Sequence, residues 1–154
     1  MVDSLSVEER SRRMARIGGK NTVPEMALRQ ELHALGLRFR LHSRELPGKP
    51  DLIFPKFKTI VFVHGCFWHR HFGCKVANMP KSNIEFWIDK FDKNVARDAR
   101  TVDLLKSKGW RVFVVWECEL SSKKKAQETA LLLASQIRQG EPAAPASSIP
   151  CRCP

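Results

Sequence analysis

The chain has 154 residues and is 43% hydrophobic, so it can bury one ordinary core without help from disulfides. Its 27 Lys and Arg outweigh 16 Asp and Glu and give a formal net charge of +11, which favours a polyanionic partner such as nucleic acid or an anionic surface. The sequence has no long apolar run and no signal-peptide pattern, so we expect a soluble intracellular protein with no membrane partner.

Two capping boxes predict two helices in the first part of the chain. Ser6-Val-Glu-Glu9 opens an arginine-rich helix that runs to Ile17, and Thr22-Val-Pro-Glu25 opens a second helix that ends at Gly36. In each box the hydroxyl accepts from the backbone N–H three residues later, and the glutamate side chain returns to the cap.

Three strands are predicted in the middle of the chain. Phe39 and Leu41 alternate with arginines, which is the period of a half-buried strand. A turn forced by Pro47-Gly-Lys-Pro50 leads into a strand over residues 51–54. Residues 59–64 are continuously apolar as far as His64, which is typical of a strand that is buried on both faces.

The longest helix is predicted between Ser82-Asn-Ile-Glu85, a third capping box, and Gly109. Its apolar residues fall on one face at helical spacing: Ile84, Trp87, Ile88, Phe91, Val95, Val102 and Leu105. Residues 110–116 then predict a second buried strand. The strand–helix–strand crossover makes strands 59–64 and 110–116 parallel, so their carboxyl ends meet at one edge of the sheet.

These elements, with a last helix over residues 122–139, place the chain in the α/β class. We expect a single domain over residues 1–140, in which helices flank a central mixed sheet. Residues 141–154 contain four prolines among small polar residues and predict a disordered tail.

The densest group of metal-ligating side chains follows the strand over residues 59–64. Cys66, His71 and Cys74 supply two thiolates and an imidazole, and Cys118 emerges from the parallel strand at the same sheet edge. Four such ligands match a structural zinc site, whose closed coordination sphere does not activate water. The alternative is that the cysteines are small buried hydrophobic residues and His71 lies at the surface. Two further cysteines, in the tail at 151 and 153, stand apart from this set.

Two carboxylates are candidates for chemistry outside the zinc site. Asp51 begins a strand directly after the proline turn, and a carboxylate there is a hard ligand of the kind that Mg²⁺ uses beside phosphate oxygens. A turn-capping aspartate is the equally weighted alternative. Glu25 is explained as the capping-box partner of Thr22, and a catalytic role is the less favoured interpretation.

His64 and His69 have side chains that transfer protons near neutrality. We favour His69 as a general base over a spare, solvent-exposed ligand. His64 ends a strand and could equally donate to a backbone carbonyl.

Aromatic and polar residues suggest a nucleic-acid surface. Phe67 and Trp68 have no obvious core to fill and suit a wedge between base pairs, although core packing is equally weighted. Lys90, Asn94 and Arg97 lie at i, i+4 and i+7 and could address bases or phosphates as one row. A solvated helix face is the ordinary alternative.

Several motifs of this chain occur together in one known family. They span approximately residues 8–120 and comprise Arg12-Arg-Met14, the Thr22/Glu25 helix start, Leu46-Pro-Gly-Lys-Pro-Asp51, His64-Gly-Cys-Phe-Trp-His69 with His71 and Cys74, Glu85-Phe-Trp87 with Lys90 and Asn94, and Gly109-Trp-Arg-Val through Val115-Trp-Glu-Cys118. In these motifs the chain resembles the Vsr family, the very-short-patch-repair DNA mismatch endonucleases.

The resemblance implies a PD-(D/E)xK nuclease-like fold with a structural Zn²⁺. It implies a catalytic Mg²⁺ held by Asp51, with His69 as base on the attacking water and Glu25 and His64 assisting. It further implies hydrolysis of one strand of duplex DNA 5′ to the T of a T·G mismatch, a lesion that arises in the family by deamination of 5-methylcytosine.

The resemblance also implies residues that contact the DNA. Met14, Phe67 and Trp68 match the family's intercalating residues, and Lys90 and Asn94 match its mismatch-reading positions. The expected protein is a monomer in a prokaryotic cytoplasm that acts at the nucleoid, and contacts with other mismatch-repair proteins stay open.

Two departures from the family pattern keep other functions open. Val63 stands where the family usually has threonine, so only its backbone carbonyl is available to a magnesium ion, and an extra residue separates His71 from Cys74. One alternative is a non-catalytic DNA-binding module that recognises distorted duplex. Another is a nuclease of altered specificity that works in restriction and cuts paired DNA.

Overall fold

The computed structural model describes residues 6–16 and 18–140, so the predicted tail over 141–154 lies outside the described residues. Within those residues, four helices and four strands are formed: α1 Val7–Arg16, α2 Val23–Ala34, β1 Arg40–Leu41, β2 Leu52–Phe54, β3 Thr59–His64, α3 Ile84–Ser107, β4 Arg111–Trp116 and α4 Lys123–Gln139. Short 3-10 turns over Pro55–Phe57 and Glu117–Leu120 follow β2 and β4. None of the described helices is long and apolar enough to cross a membrane.

The strands form one mixed sheet in the order β1-β2-β3-β4. The first two pairings are antiparallel and the pairing of β3 with β4 is parallel, with His64 opposite Trp116. The predicted mixed sheet and the predicted parallel crossover are therefore confirmed. The carboxyl ends of β3 and β4 meet at one edge of the sheet, and this edge carries the site.

Strand β3 separates two cores because its side chains alternate between the faces of the sheet. Val61 packs with the buried residues of α2 and α4, whereas Ile60 and Phe62 pack with Leu105 of α3 on the other face. The β-branched and aromatic residues of Thr59–Val63 suit a strand with both faces covered. The prediction that this strand is buried on both faces is confirmed.

The three predicted capping boxes have three different outcomes. At Ser6 both hydrogen bonds form, since its hydroxyl accepts from the Glu9 N–H at 3.1 Å and its N–H donates to the Glu9 carboxylate at 2.9 Å. At Thr22 only the backbone half forms, from the Glu25 N–H at 3.4 Å. Helix α3 has no side-chain cap and begins after Asn83, which adopts a left-handed conformation, so the predicted third box was wrong.

Strand β1 is shorter and more exposed than its alternating pattern predicted. It covers two residues, and Leu41 is 43% exposed. Phe39, just before the strand, packs edge-to-face on Phe54 with ring centroids 5.7 Å apart. The prediction of a half-buried strand was therefore wrong for Leu41, because only Phe39 reaches the core.

The apolar face of α3 is only partly covered. Phe91 and Leu105 are buried, but Ile84, Ile88 and Val95 remain 45–48% exposed. Val102 and Leu105, near the C-terminal end of this 24-residue helix, pack with the core on the sheet, and Trp87 near its N-terminal end contacts Phe67 in the loop that follows β3. The predicted single buried stripe therefore holds for only part of the helix.

The turn before β2 approaches α3 closely at a glycine. Gly48 has a φ of +75°, and a Cβ at this position would lie 2.2 Å from the Thr101 side chain. Only glycine fits this approach, since it lacks a Cβ and tolerates positive φ. The approach brings Lys49 and Asp51 to the same side of the molecule as the end of β3.

Candidate active site and metal centre

Cys66, His71, Cys74 and Cys118 form a buried group, called here the Cys/His cluster, whose donor atoms all lie within 4.8 Å of one another. The parallel pairing explains the convergence, because Cys66 follows β3 and Cys118 follows β4 at the same sheet edge. The Nδ1 atom of His71 lies 3.5 Å from Cys66 Sγ and 3.4 Å from Cys118 Sγ. Zinc–nitrogen and zinc–sulfur bonds at a tetrahedral centre give a separation of about 3.5 Å, so the donor set fits one Zn²⁺.

The surroundings of the Cys/His cluster oppose ionisation of two of its thiols in the absence of a metal. The three cysteines are free of disulfides. Burial raises the pKa of the Cys66 thiol and raises that of Cys118 to about 11. Metal binding must therefore release protons from these thiols. The Cys66 N–H also donates to the Glu117 carboxylate at 2.9 Å, which ties the two ligand-bearing turns together.

A cleft of about 470 Å³ opens beside the cluster, between the glycine turn, the end of β3 and helix α3. Three predicted catalytic residues line it, namely Asp51, His64 and His69. Lys49 and Arg97 line it as well and bring positive charge to its walls. The cleft therefore combines groups that could bind a cation, transfer protons and attract a phosphate.

Asp51 is tied to β3 rather than to its own turn. Its Oδ2 atom accepts from the Val63 N–H at 2.7 Å. Burial raises the pKa of this carboxyl from its ordinary value of 3.8 to about 6, against the opposing effect of the Val63 N–H. A cation bound at Asp51 would favour the ionised form, so this carboxylate is suited to hold Mg²⁺. The turn-capping alternative receives no support from this geometry.

The two histidines lie against each other and against a carboxylate that the sequence had not indicated. The rings of His64 and His69 stack with centroids 3.9 Å apart and planes 8° apart. On the far side, His69 Nδ1 lies 2.5 Å from Asp98 Oδ2. Burial opposes ionisation of Asp98, but the hydrogen bond and charge of His69 lower its pKa overall. An ionised Asp98 accepts a hydrogen bond from the Nδ1–H of His69, which leaves Nε2 of His69 as a proton acceptor.

His64 cannot carry a charge at neutral pH. Burial and the neighbouring His69 lower the pKa of His64 to about 3. His64 is therefore a neutral ring that contacts His69 and can offer hydrogen bonds.

Glu25 has a different environment from the predicted one. Its side chain is buried and contacts the Arg29 guanidinium, while its Oε1 atom lies 2.6 Å from His42 Nε2. The interpretation of Glu25 as a complete capping-box partner was therefore wrong. Its donor atoms, with those of His42 and Asp51, lie within 4.8 Å of one another. Glu25 therefore lies next to Asp51. Arg29 is one helical turn from Glu25 on α2, a spacing that could have indicated the pair, whereas His42 was missed because only the tertiary fold brings it there.

Phe67 and Trp68 pack against α3, so the expectation that they have no core to fill was wrong. The Phe67 ring lies 5.2 Å from Trp68, 5.6 Å from Trp87 and 5.2 Å from Phe91, in edge-to-face geometry. Phe67 and Trp68 nevertheless stay partly exposed. Core packing and a wedge between base pairs both remain supported, because the two aromatic side chains are packed on one side and accessible on the other.

The predicted mismatch-reading residues contact the same aromatic loop. Lys90 Nζ lies 5.3 Å from the Trp68 ring centroid, and Asn94 Nδ2 donates to the Trp68 carbonyl at 3.2 Å. Asp98 lies one helical turn beyond Asn94 on the same row, so extending that row was the signal that could have found it. Met14 lies on α1, which buries none of its residues, and it is outside the cleft lining.

Comparison with known proteins gives a consistent result. The family model described as DNA mismatch endonuclease Vsr matches residues 2–75. The type II nicking enzyme V.XorIIP of Xanthomonas oryzae pv. oryzae is 51% identical over 121 residues, covering 79% of this chain and 88% of that protein. The type II nicking enzyme V.NmeAIP of Neisseria meningitidis is 41% identical, with 90% and 98% covered. The DNA mismatch endonuclease Vsr of Escherichia coli is 40% identical, with 85% and 83% covered.

The chain is an α/β domain whose cleft holds carboxylates, imidazoles and basic side chains. DNA-nicking enzymes and a DNA mismatch endonuclease match it along most of its length, so it is an endonuclease that acts on DNA. More narrowly, the chain belongs to the Vsr family of DNA mismatch endonucleases. The predicted family and the predicted enzyme class are confirmed.

Proposed function

We propose that this endonuclease nicks one strand of duplex DNA 5′ to the mismatched T of a T·G pair, with Mg²⁺ as the catalytic ion and Zn²⁺ in the Cys/His cluster. The observation that carries the proposal is the shared cleft, in which Asp51, His69 and Asp98 lie beside Lys49 and Arg97. The names of the E. coli and Xanthomonas relatives supply the mismatch substrate and the nicking reaction.

His69 is the proposed general base. Asp98 holds the Nδ1 proton of His69, so Nε2 takes a proton from the attacking water. The stacked neutral ring of His64 covers one face of His69 and keeps a second positive charge away from the imidazolium that forms. One ring face and the Nδ1 atom of His69 already have partners, so Nε2 is the atom that is left to accept the proton of the attacking water.

Asp51 is the proposed magnesium ligand, together with the backbone carbonyl of Val63. The Val63 N–H donates to Asp51, and Glu25 lies nearby. When bound, Mg²⁺ supplies stabilisation of the negative charge that develops on the scissile phosphate. Val63 has no side-chain oxygen, so at this position the chain offers only backbone atoms. Lys49 and Arg97 attract the phosphate backbone to the cleft and orient it there.

The aromatic loop is the proposed wedge. Phe67 and Trp68, together with Met14, enter the duplex beside the lesion, and Lys90 and Asn94 read the mismatched bases. Because a mismatch is easier to unstack than a paired step, the cost of distortion itself favours the lesion. In the free protein Lys90 and Asn94 contact Trp68, so the loop and the reading residues must rearrange together.

The test is a nicking assay on labelled duplexes that carry T·G, the other mismatches or full pairing, with Mg²⁺ and with either the wild type or Asp51→Asn. The expected result is one nick 5′ to the T of T·G and no product with Asp51→Asn. Cleavage of fully paired DNA at a defined site would instead indicate a restriction-type nuclease. Binding of mismatched duplex without any cleavage would indicate a non-catalytic module, which is the reading that Val63 keeps open.

A further inference from the structure

Four rings form a continuous row from the Cys/His cluster to the cleft, called here the aromatic row. His71 of the cluster stacks on Trp116 with centroids 4.2 Å apart and planes 1° apart. Trp116 meets His64 edge-to-face at 5.4 Å and 72°. His64 in turn stacks on His69 at 3.9 Å. Trp116 therefore contacts one residue of each site.

The position of Trp116 follows from the sheet. In the parallel pairing of β3 and β4, Trp116 lies directly opposite His64, so both side chains are on the same face of the sheet. The backbone at this point is fixed, since the Trp116 N–H donates to the Glu119 carboxylate at 2.8 Å. The next residue, Glu117, accepts from the Cys66 N–H at 2.9 Å. The indole is therefore held in place by both the strand register and the turn that carries Cys118.

We propose that Trp116 is a positioning residue for the endonuclease reaction: it orients His64, and through His64 the base His69, against the Cys/His cluster. The proposal rests on the proposed role of His69. The Cys/His cluster then has a second role besides stabilising the fold, because the indole of Trp116 stacks on the ordered ring of His71.

The need for such a group is physical. His64 and His69 each turn about two side-chain bonds, and Asp98 fixes only one atom of the pair. The aromatic ring of Trp116 beside His64 restricts the His64 ring to one orientation. Because the His64 and His69 planes stack within 8° of each other, the orientation of His64 also restricts that of His69. A displacement of a reacting group by about 1 Å can cost roughly 100-fold in rate, so a loose imidazole pair is costly even in a folded protein.

The experiment compares three variants of the full chain. Trp116→Leu removes the aromatic faces and keeps an apolar side chain, and Trp116→Phe restores one ring. Trp110→Leu is the control, because Trp110 directly precedes the same strand, packs against the core around Ile60 and Leu105, and contacts Lys58 rather than an imidazole. Each protein is tested for bound zinc, thermal unfolding and nicking of a T·G duplex with saturating Mg²⁺.

We expect Trp116→Leu to lower kcat by about 10- to 100-fold with KM within about 2-fold of the wild type, since the indole does not touch the DNA-binding residues. Trp116→Phe recovers most of the loss. Trp110→Leu also loses thermal stability but keeps its kcat. Equal kcat losses in the two Leu variants, or a loss of zinc from Trp116→Leu that matches its loss of activity, would overturn the proposal, because the indole would then serve only the core or the cluster.

A spectroscopic readout separates this proposal from the proposed function. The Hε1 signals of His64 and His69, assigned with His64→Asn and His69→Asn, are recorded by NMR without DNA. In Trp116→Leu we expect both signals to shift and broaden, while the signal of His33, on α2, stays in place. Unchanged signals would refute the positioning role even if the enzyme nicks T·G DNA. Shifted signals in a protein that never nicks DNA would refute the proposed function and leave the aromatic row intact.

Discussion

The Cys/His cluster and the cleft lie at the same edge of one sheet but differ in burial and in chemistry. All four residues of the cluster are buried, and burial raises the pKa of the Cys66 and Cys118 thiols. The cleft has half-buried groups, Asp51, His69 and Asp98, around about 470 Å³ of open space. One site is closed by its own ligands, and the other leaves room for a phosphate and water.

The difference shows how one strand end can serve both structure and chemistry. A closed set of four ligands stabilises the fold but offers no position to a substrate, whereas an open carboxylate and imidazole site does the reverse. His64 and Cys66 are two residues apart in sequence, yet His64 lines the open cleft and Cys66 belongs to the closed cluster. Changes in the cluster should therefore reduce stability first, and changes in the cleft should reduce turnover without affecting the fold.

The largest effect on stability is expected from the cluster. Cys118→Ala removes one of four ligands, so we expect loss of bound zinc and a fall in the free energy of unfolding of more than about 3 kcal/mol. Chemical denaturation with parallel metal analysis measures both. Cys153→Ala is the control, since this cysteine stands apart from the cluster in sequence, and it should change neither quantity. A Cys118→Ala protein as stable as the wild type would contradict a structural role for the cluster.

The largest effect on turnover is expected from the cleft. His69→Ala should lower kcat by about 1,000-fold, and Asp98→Asn by about 100-fold, because the base and then its orientation are lost. Thermal unfolding of both should stay close to the wild type, since neither group supports a core. Asp92→Asn changes an exposed carboxylate on the same helix and serves as the matched control. If Asp98→Asn and Asp92→Asn have the same kcat, Asp98 does not orient His69.

The sheet and its parallel crossover could be predicted from local patterns. Residues 59–64 are a continuous apolar run, the helix signal that follows is long, and geometry alone then puts Cys66 beside Cys118. The helical row of Lys90 and Asn94 extends to Asp98, but the pairing of Asp98 with His69 could not be found in this way, because the two residues are 29 positions apart. Only the packing of α3 on the sheet brings the two together.

Glu25 shows a second limit of sequence patterns. Its spacing from Thr22 fits a capping box, and the backbone half of that box does form. The carboxylate instead turns inward to Arg29 and His42, the second of which lies 17 residues away. The buried contacts with Arg29, one helical turn along α2, and with His42, which only the tertiary fold brings close, take the place of the carboxylate half of the capping box.

A smaller effect is expected on the stability of the metal-free protein. The pKa of Asp51 is about 6 in the folded state, above its ordinary value of 3.8. Its contribution to stability is therefore complete below about pH 4 and is lost as the pH rises through about 6. At pH 8 without Mg²⁺, we expect Asp51→Asn to be more stable than the wild type by about 2 to 3 kcal/mol, and at pH 4 by much less.

Denaturant unfolding at the two pH values checks this prediction, with Asp89→Asn, an exposed carboxylate, as the control. Added Mg²⁺ should reduce the difference, because the ion stabilises the ionised carboxylate of the wild type. Equal stability of Asp51→Asn and the wild type at both pH values would show that Asp51 has its ordinary pKa.

The smallest effect is expected from the basic wall of the cleft. Arg97→Gln should weaken binding of T·G duplex by roughly 3- to 10-fold and reduce the dependence of log Kd on log salt by about 1, as loss of one phosphate contact predicts. Fluorescence anisotropy over a salt series measures both values. Lys106→Gln, an exposed change near the C-terminal end of the same helix, should have less effect. Equal slopes for both variants would remove Arg97 from the DNA surface.

The separate roles of the structural Cys/His cluster and the catalytic cleft are tested most directly by single-turnover nicking of a T·G duplex with zinc-loaded protein, before and after Mg²⁺ is added. We expect no product with zinc alone, rapid nicking once Mg²⁺ is present, an unchanged zinc content of one ion per chain, and no product with Asp51→Asn at any Mg²⁺ concentration. Nicking that proceeds with zinc alone, or that survives in Asp51→Asn, would contradict it.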